Sequence, residues 1–314
     1  MMSRTLRTLR EKKSMNTPIA IVFFNRVEPL RQLVARLAEV KPPKIYLISD
    51  GPRDGREGET EKVAECREFM KNMPWPCEVK ANFAEKNMGC RKRVTSGLDW
   101  LFSNEERAII LEDDCIPALE FFPWMETMLE RYKSESKVLS ICGTNYNGRL
   151  SEESYDITAT KYPVFTGWGT WRRAWELNDK DLRRLKEAKE THQLRKWLGS
   201  VREECYWLYL LSHVGSSWGY RWSFTNFMNE GLQVLPQRNL MDNVGINSGP
   251  ATHTADYLHE FPVADQTWRY RGRLPDMVES NPNLDKWFAD VFYSKSFIER
   301  IKWIVRKISR KVMG

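Results

Sequence analysis

The chain has 314 residues, 41% of them hydrophobic, and a net charge of +7, enough apolar content for one large α/β domain or two small ones. The longest aliphatic and aromatic run, Ile19 to Phe24, is far short of the roughly 20 residues a membrane span needs. The basic first segment lacks the apolar stretch of a secretory signal, and Met15 leaves open whether residues 1–14 belong to the protein. The charge does not indicate a nucleic-acid surface. Residues 4–13 hold five basic groups and one acidic, and residues 295–311 hold seven basic and one acidic, so the body between them is slightly acidic. No zinc-finger, helix-turn-helix or single-strand-binding signature appears. Six cysteines, at 66, 77, 90, 115, 142 and 205, lack CxxC pairing and read as buried free thiols of a reducing cytoplasm.

In chain order, Ile19–Phe24 and Lys44–Ser49 read as buried parallel strands, and Leu30, Leu33, Val34 and Leu37 form a helical stripe between them. The alternation continues with a helix over 59–71, a strand over 77–83 and a helix carrying Val94, Leu98, Leu101 and Phe102. A strand over 108–111, a helix over 121–132 and a strand over 138–142 complete a doubly wound pattern across residues 17–143. Such sheets bind ligands beyond the carboxyl ends of their strands. Here those ends read Asn25-Arg26, Asp50-Gly51-Pro52-Arg53 and Glu112-Asp113-Asp114. No GxGxxG or P-loop accompanies them, nor the glycine-rich basic loop a sugar-phosphate nucleotidyltransferase would want near its first strand.

The sharpest local feature is Ala108-Ile109-Ile110-Leu111-Glu112-Asp113-Asp114, an apolar strand ending in three carboxylates. Adjacent anions repel, so a hard divalent cation shared with a nucleotide diphosphate would suit them. Strand alternation would point Glu112 and Asp114 one way and Asp113 the other. From 146 to 261 the periodicity loosens and tryptophan becomes dense, at 168, 171, 175, 197, 207, 218 and 222. Indole faces suit stacking on sugars as well as core packing. The glycine-bearing, loop-like settings of Trp168 and Trp218 favour a groove for them, whereas Trp197 and Trp207 read as core. Near the carboxyl terminus, Phe297, Ile301, Ile304, Val305, Ile308 and Val312 form an apolar stripe among Lys302, Arg306, Lys307, Arg310 and Lys311. A basic amphipathic helix of this kind can lie on an anionic bilayer.

The segments Phe23-Phe24-Asn25-Arg26, Ile48-Ser49-Asp50-Gly51, Asn87-Met88-Gly89-Cys90-Arg91 and Leu111-Glu112-Asp113-Asp114 occur in an order and spacing that resembles GT-A glycosyltransferases. The likeness is to bacterial nucleotide-sugar transferases distantly similar to N-acetylglucosaminyltransferase I, whose acidic motif is also Glu-Asp-Asp. Thr166 to Trp175, Ser217 to Trp222, Asn243-Val244-Gly245 and Ala251-Thr252-His253-Thr254 are similar to the same group. This resemblance implies a GT-A, Rossmann-like mixed but mostly parallel sheet flanked by helices. It would be a single large domain with a basic tail at 1–16, a nucleotide-sugar half at 17–143, an acceptor half at 144–262 and a helical extension at 263–314.

The implied activity is metal-dependent transfer of a hexosyl or N-acetylhexosaminyl group from a nucleotide diphosphate sugar to a saccharide or lipid-linked saccharide. Surface polysaccharide or lipopolysaccharide assembly at the cytoplasmic face of a membrane would be the setting. Asn25, Arg26 and Asp50 would line the nucleoside pocket, with Asp50 accepting from base or ribose. Asn87, Gly89 and Arg93 would face the diphosphate at a helix start. Asp114 would bind Mn or Mg, supported by Glu112 or Asp113 and completed by His253. Trp168, Arg172 and Trp218 would serve the acceptor. Resembling proteins often carry Asp beside the Ser-Trp motif, where this chain has Ser216 and Gly219. The base of an inverting reaction would then be Glu230, Asp242 or Asp256, or the chain is a degenerate binder of nucleotide sugars or saccharides.

Overall fold

The computed structural model describes residues 15–147, 154–246 and 262–294. Its core is an eight-stranded sheet built from β1 (Ile19–Phe23), β2 (Lys44–Ser49), β3 (Glu78–Phe83), β4 (Arg107–Glu112), β6 (Val138–Cys142), β7 (Ile157–Thr160), β8 (Trp168–Trp171) and β9 (Leu232–Pro236), in the order β3-β2-β1-β4-β8-β6-β9-β7. The pairings β1/β2, β1/β4, β2/β3 and β6/β9 are parallel, whereas β8 is antiparallel to both β4 and β6, and β7 is antiparallel to β9. Six strands therefore run one way and share one carboxyl edge. Strands β7, β8 and β9 come from the tryptophan-rich half, so both halves build one sheet and one domain.

Alternation along the strands divides the core between two faces. Ile19, Ile21, Phe23, Ile109 and Leu111 face α1 (Val27–Val40), α2 (Glu59–Lys71) and α4 (Phe121–Arg131). Ala20, Tyr46, Ile48, Ala108 and Ile110 face α3 (Cys90–Asn104), α8 (Val201–His213) and α9 (Gly219–Met228), with the short helices α5 (Arg172–Trp175), α6 (Leu185–Thr191) and α7 (Gln193–Leu198) leading from β8 to α8. In β4 the fully buried Ile109, Ile110 and Leu111 each contribute roughly 1.5–3 kcal/mol relative to exposure. This burial anchors the strand that delivers the acidic residues. α1 buries the stripe Leu30, Leu33, Val34 and Leu37 and stops at Lys41, which adopts a left-handed φ of 50° before Pro42 and Pro43.

Beyond β4 the chain turns at Asp113-Asp114 into β5 (Cys115–Pro117), which pairs antiparallel with β10 (Met241–Asn243). This small second ribbon, absent from the sequence expectation, brings residues 241–246 over the end of β4. Residues 262–294 include α10 (Pro282–Phe288), whose Asp285 accepts from Thr160 Oγ1 at 2.7 Å at the end of β7. Among the described residues no helix is long and apolar enough to cross a membrane. The basic stripe 297–312, the tail 1–14, Asp256 and His253 lie outside the described residues.

The cysteines are free. Cys66, Cys115 and Cys142 are buried as expected, whereas Cys90 and Cys205 are exposed.

Candidate functional site

The carboxyl edge of the sheet collects Asn25 and Arg26 after β1, Asp50 after β2 and Glu112 at the end of β4. Register explains the meeting, since Phe23 pairs with Ser49 and Val22 with Glu112 across adjacent strands. Strand alternation, however, stops at Glu112, and Asp113 and Asp114 belong to the turn. Both therefore reach the same partner. Arg26 grips Asp113 with two nitrogens, Nε to Oδ2 at 3.2 Å and Nη2 to Oδ1, and Nη2 also donates to Asp114 Oδ2 at 3.0 Å. Asp113 points toward a cation rather than away from its neighbour, which corrects the alternation argument.

The three carboxylates differ in environment. Asp113 is 4% exposed, and burial pushes its pKa up to about 6 against the hydrogen bond and charge of Arg26. Glu112 is half-buried, and its side chain makes no hydrogen bond or ion pair among the described residues. Burial first, then the charges of Asp114 and Asp113, push it up to about 8. Asp114 is overlain by Gly245, where a Cβ would lie 2.2 Å from Asp114 Oδ2 and 3.0 Å from Arg26 Nη1. Only glycine allows the backbone of the Val244–Ile246 turn to close on the carboxylate. The turn is tied down by Val244 N donating to Asp114 O at 3.0 Å.

A second group of contacts shapes the loops on the α3 side. Asp50 is 7% exposed and accepts from Gly51 N at 2.9 Å and Met88 N at 2.8 Å on Oδ1, and from Gly89 N at 2.9 Å on Oδ2. A carboxylate has about four acceptor positions, so Asp50 is mostly committed to backbone. It positions the start of α3, a role beyond the base or ribose contact expected of it, and one acceptor position remains. Asn87 Nδ2 returns a bond to Gly51 O at 2.8 Å, and Gly51 is pressed so closely on Lys86 that a Cβ would meet its carbonyl carbon at 2.5 Å. Gly89, with φ 76°, caps α3. Arg93 does not open toward a ligand. It is 5% exposed and donates to Asn82 Oδ1 at 2.8 Å.

Asn25 reaches Glu59 Oε1 at 3.2 Å. Glu59, the first residue of α2, also binds Arg53 through N at 2.8 Å and Nη2 at 2.5 Å. Arg53 holds its carboxyl down at about 2. Arg67 joins the ends of β2 and β3 by donating to Asp50 O at 2.8 Å and Ala84 O at 2.7 Å. Glu59 and Arg67 are not singled out by the sequence, and Gly245 appears there only within the Asn243-Val244-Gly245 segment, without a role. Glu59 carried one available signal, an acid in the first turn of a helix; the other two depend on contacts far along the chain.

The remaining candidates divide between the two sheet edges. Trp168 begins β8 and is fully buried, stacked on Trp218 with centroids 5.6 Å apart and an interplanar angle of 21°. Trp218 is 8% exposed at the N-cap of α9. Neither indole lies in an open loop, because Phe165, Trp175 and Trp222 complete the cluster. Arg172 is not brought to the acid turn. It donates from Nε to Phe102 O at 2.5 Å and pairs with Glu106 at 2.6 Å, at the opposite end of β4, ~16 Å from Glu112 at strand rise. Glu230, with φ 51°, precedes β9 on that same far edge and accepts from Gln193 Nε2 at 3.2 Å. Asp242 stands on β10 near the acid turn, and its Oδ1 accepts from Ala264 N at 2.6 Å.

Among the described residues no three His, Cys, Asp or Glu side chains converge to hold a metal. Glu112 and Asp114 are hard oxygen donors of the kind Mg and Mn prefer, and Glu112 makes no ion pair among the described residues, although the charge of Arg26 acts on it. Two such donors fit a cation whose other positions are filled by ligand oxygens.

No protein-family model and no curated protein matches this sequence. Among solved structures the chain is similar to a Pyrobaculum calidifontis mannosyltransferase, PcManGT, in complex with GDP-Man and Mn2+, at 11% identity and a TM-score of 0.37, covering 68% of this chain and 69% of that one. It is also similar to a UDP-glucose pyrophosphorylase complexed with UDP-glucose, at 8% identity and a TM-score of 0.36, covering 72% and 92%. HddC from Yersinia pseudotuberculosis aligns at 9% identity and a TM-score of 0.33, covering 50% and 77%. At these scores neither a fold family nor an activity passes from these proteins to this chain.

Proposed function

We propose that the chain is a GT-A-type glycosyltransferase that binds a nucleotide diphosphate sugar at the carboxyl edge and passes the sugar to a saccharide or lipid-linked saccharide. The observation that carries this reading is the acid turn at the end of β4, overlain by Gly245 and faced by the loop that Asp50 clamps at the start of α3. Asp114 and Glu112 would hold Mn or Mg, completed by diphosphate oxygens and by His253. The cation would supply the positive charge that lets a diphosphate approach three carboxylates. Arg26 would keep Asp113 ionised and oriented, and Asn25 would keep Glu59 and Arg53 in place beside the nucleoside. Of the candidate bases, Asp242 lies on this edge with Oδ2 uncommitted to Ala264. The basic stripe at 297–312 would place the enzyme peripherally on an anionic membrane, in reach of lipid-linked acceptors of surface polysaccharide assembly.

A second reading, donor binding without transfer, is favoured by the grip of Arg26 on both Asp113 and Asp114. One experiment separates the two. Release of free nucleotide is measured from UDP-, GDP-, dTDP- and CMP-sugars, with Mn or Mg against EDTA, for wild type and Asp114→Ala. Metal-dependent hydrolysis of one diphosphate donor, reduced by at least about 100-fold in the variant, is expected. Binding of a donor without turnover, even with saccharide acceptors supplied, selects the second reading. Absence of binding removes the donor site.

A further inference from the structure

At the outer end of the sheet the chain borders a polar space well away from the acid turn. β7 is the outermost strand and stands four positions from β4, ~19 Å at the usual strand spacing. Just past its last residue, Thr160, the first turns of α8 and α10 border a cavity of about 360 Å³. Three acids line it, Glu203, Asp285 and Asp290, and so do three bases, Lys161, Arg202 and Lys286.

Contacts within the protein fix these groups without exhausting them. Asp285 Oδ1 accepts from Thr160 Oγ1 at 2.7 Å and from Lys161 N at 3.0 Å, which holds α10 against the end of β7. Lys161 Nζ donates to Trp197 O at 2.9 Å and lies 4.9 Å from the centre of the Trp197 ring. Lys286 Nζ donates to Asp290 Oδ2 at 2.7 Å, and Glu203 Oε1 accepts from the Tyr162 hydroxyl. An ammonium has three donors and a carboxylate about four acceptor positions, so both lysines keep donors and Glu203 keeps acceptors. The mixture of signs selects the ligand. A phosphate would meet the carboxyl groups of Glu203 and Asp285, and an organic cation would meet Lys161, Lys286 and Arg202. Burial, then Asp285 and Asp290 against Lys161, push Glu203 up to about 7, so near neutral pH it is protonated about half the time. Hydroxyl groups, which are neutral and both donate and accept, suit such a wall. Tyr206, Leu198 and Ala289 complete it with apolar surface, the kind on which the C–H face of a sugar ring packs. The volume is near the lower end of small-molecule sites, roughly 300–1,000 Å³.

We propose that the cavity between β7, α8 and α10 is a saccharide-binding site, separate from the acid turn, that takes one or two neutral sugar units. The site goes beyond the donor reading and stands whether or not the acid turn binds a nucleotide sugar. Glu203 and Asp285 accept from ligand hydroxyls, Lys286 and Lys161 donate to them, and Tyr206 supports the ring.

Saturation-transfer NMR titrations of the full-length protein test this. Glucose, galactose, mannose, N-acetylglucosamine and maltose serve as neutral probes, and inorganic phosphate and putrescine as charged ones. Lys286→Ala removes a donor from a side chain that is 76% exposed, so its melting temperature is expected close to that of wild type. Ala289→Phe fills the space, and Asp114→Ala disables the acid turn. At least one neutral sugar is expected to bind wild type and Asp114→Ala alike, and to bind at least about tenfold more weakly to Lys286→Ala and Ala289→Phe. Should Ala289→Phe fail to fold, Lys286→Ala carries the comparison. Three results overturn the proposal. Wild type binds none of the sugars; or a sugar binds the two cavity variants as it binds wild type, and loss in Asp114→Ala then assigns it to the acid turn; or phosphate or putrescine, and no sugar, binds in a way that the cavity variants abolish.

Discussion

Asp50 illustrates how one carboxylate can be spent on architecture. Three backbone N–H groups from two loops converge on it, and hydrogen bonds to a charged acceptor are the stronger ones. Asp50→Ala is expected to lower the unfolding free energy by about 2–4 kcal/mol, and Asp50→Asn by less, since the amide keeps an acceptor for one loop. Urea unfolding of the three proteins checks this. An Asp50→Ala variant as stable as wild type would show that the loops hold without the clamp. The sequence placed Asp50 at a strand end, which is where it stands. It could not say that Met88 and Gly89, far along the chain, would donate their N–H groups to it.

At the scale of elements, α8 and β7 bury a titrating group away from the acid turn. Tyr162, just beyond β7, donates its hydroxyl to Glu203 in the first turn of α8. Burial, then the charges of Asp285 and Asp290, outweigh Lys161 and push Glu203 from its ordinary 4.5 up to about 7. Below 4.5 both folded and unfolded chains hold the proton, so the group contributes nothing to pH dependence. Between about 4.5 and 7 the unfolded chain releases it first, so this group makes stability fall as pH rises, with no further change above 7. The effect is on the order of 1 kcal/mol after allowing for partial solvent screening. Glu203→Gln should keep the tyrosine bond and remove this part of the slope, so the variant gains on wild type between pH 5 and pH 8 in denaturant titrations. Equal slopes would mean that Glu203 is ionised throughout. Helix periodicity made α1, α2 and α3 legible in advance, because their buried residues recur at helical spacing. The short β5 and β10 carried no periodic signal, and they exist only because they pair with each other.

Across the whole molecule, the sheet order brings a cation of the chain itself to the acid turn before any ligand arrives. Arg26 already neutralises Asp113 and part of Asp114, and three metal-ligating side chains do not converge among the described residues. Mn or Mg alone should therefore raise the melting temperature by less than about 1 °C, whereas the same cation with a saturating nucleoside diphosphate should raise it by several degrees, roughly 2–3 kcal/mol at a hundredfold excess over Kd. Thermal unfolding with metal, nucleotide and both tests this coupling. A full shift from metal alone would mean that the cation site is complete without the ligand.

By itself the sequence determined the parallel βαβ start, the buried strand carrying Glu112 and the gathering of Asn25, Asp50 and the acid turn on one edge. Those features follow from short-range periodicity and from the rule that parallel strands share their carboxyl ends. Tertiary structure decided which of the gathered groups remain free. Asp50 is mostly committed to backbone N–H groups, Arg93 is buried against Asn82 and Trp168 in an aromatic cluster, while the reversed direction of β8 carries Arg172 to the far edge. Such outcomes depend on partners tens of residues away and on strand direction, and local pattern encodes neither.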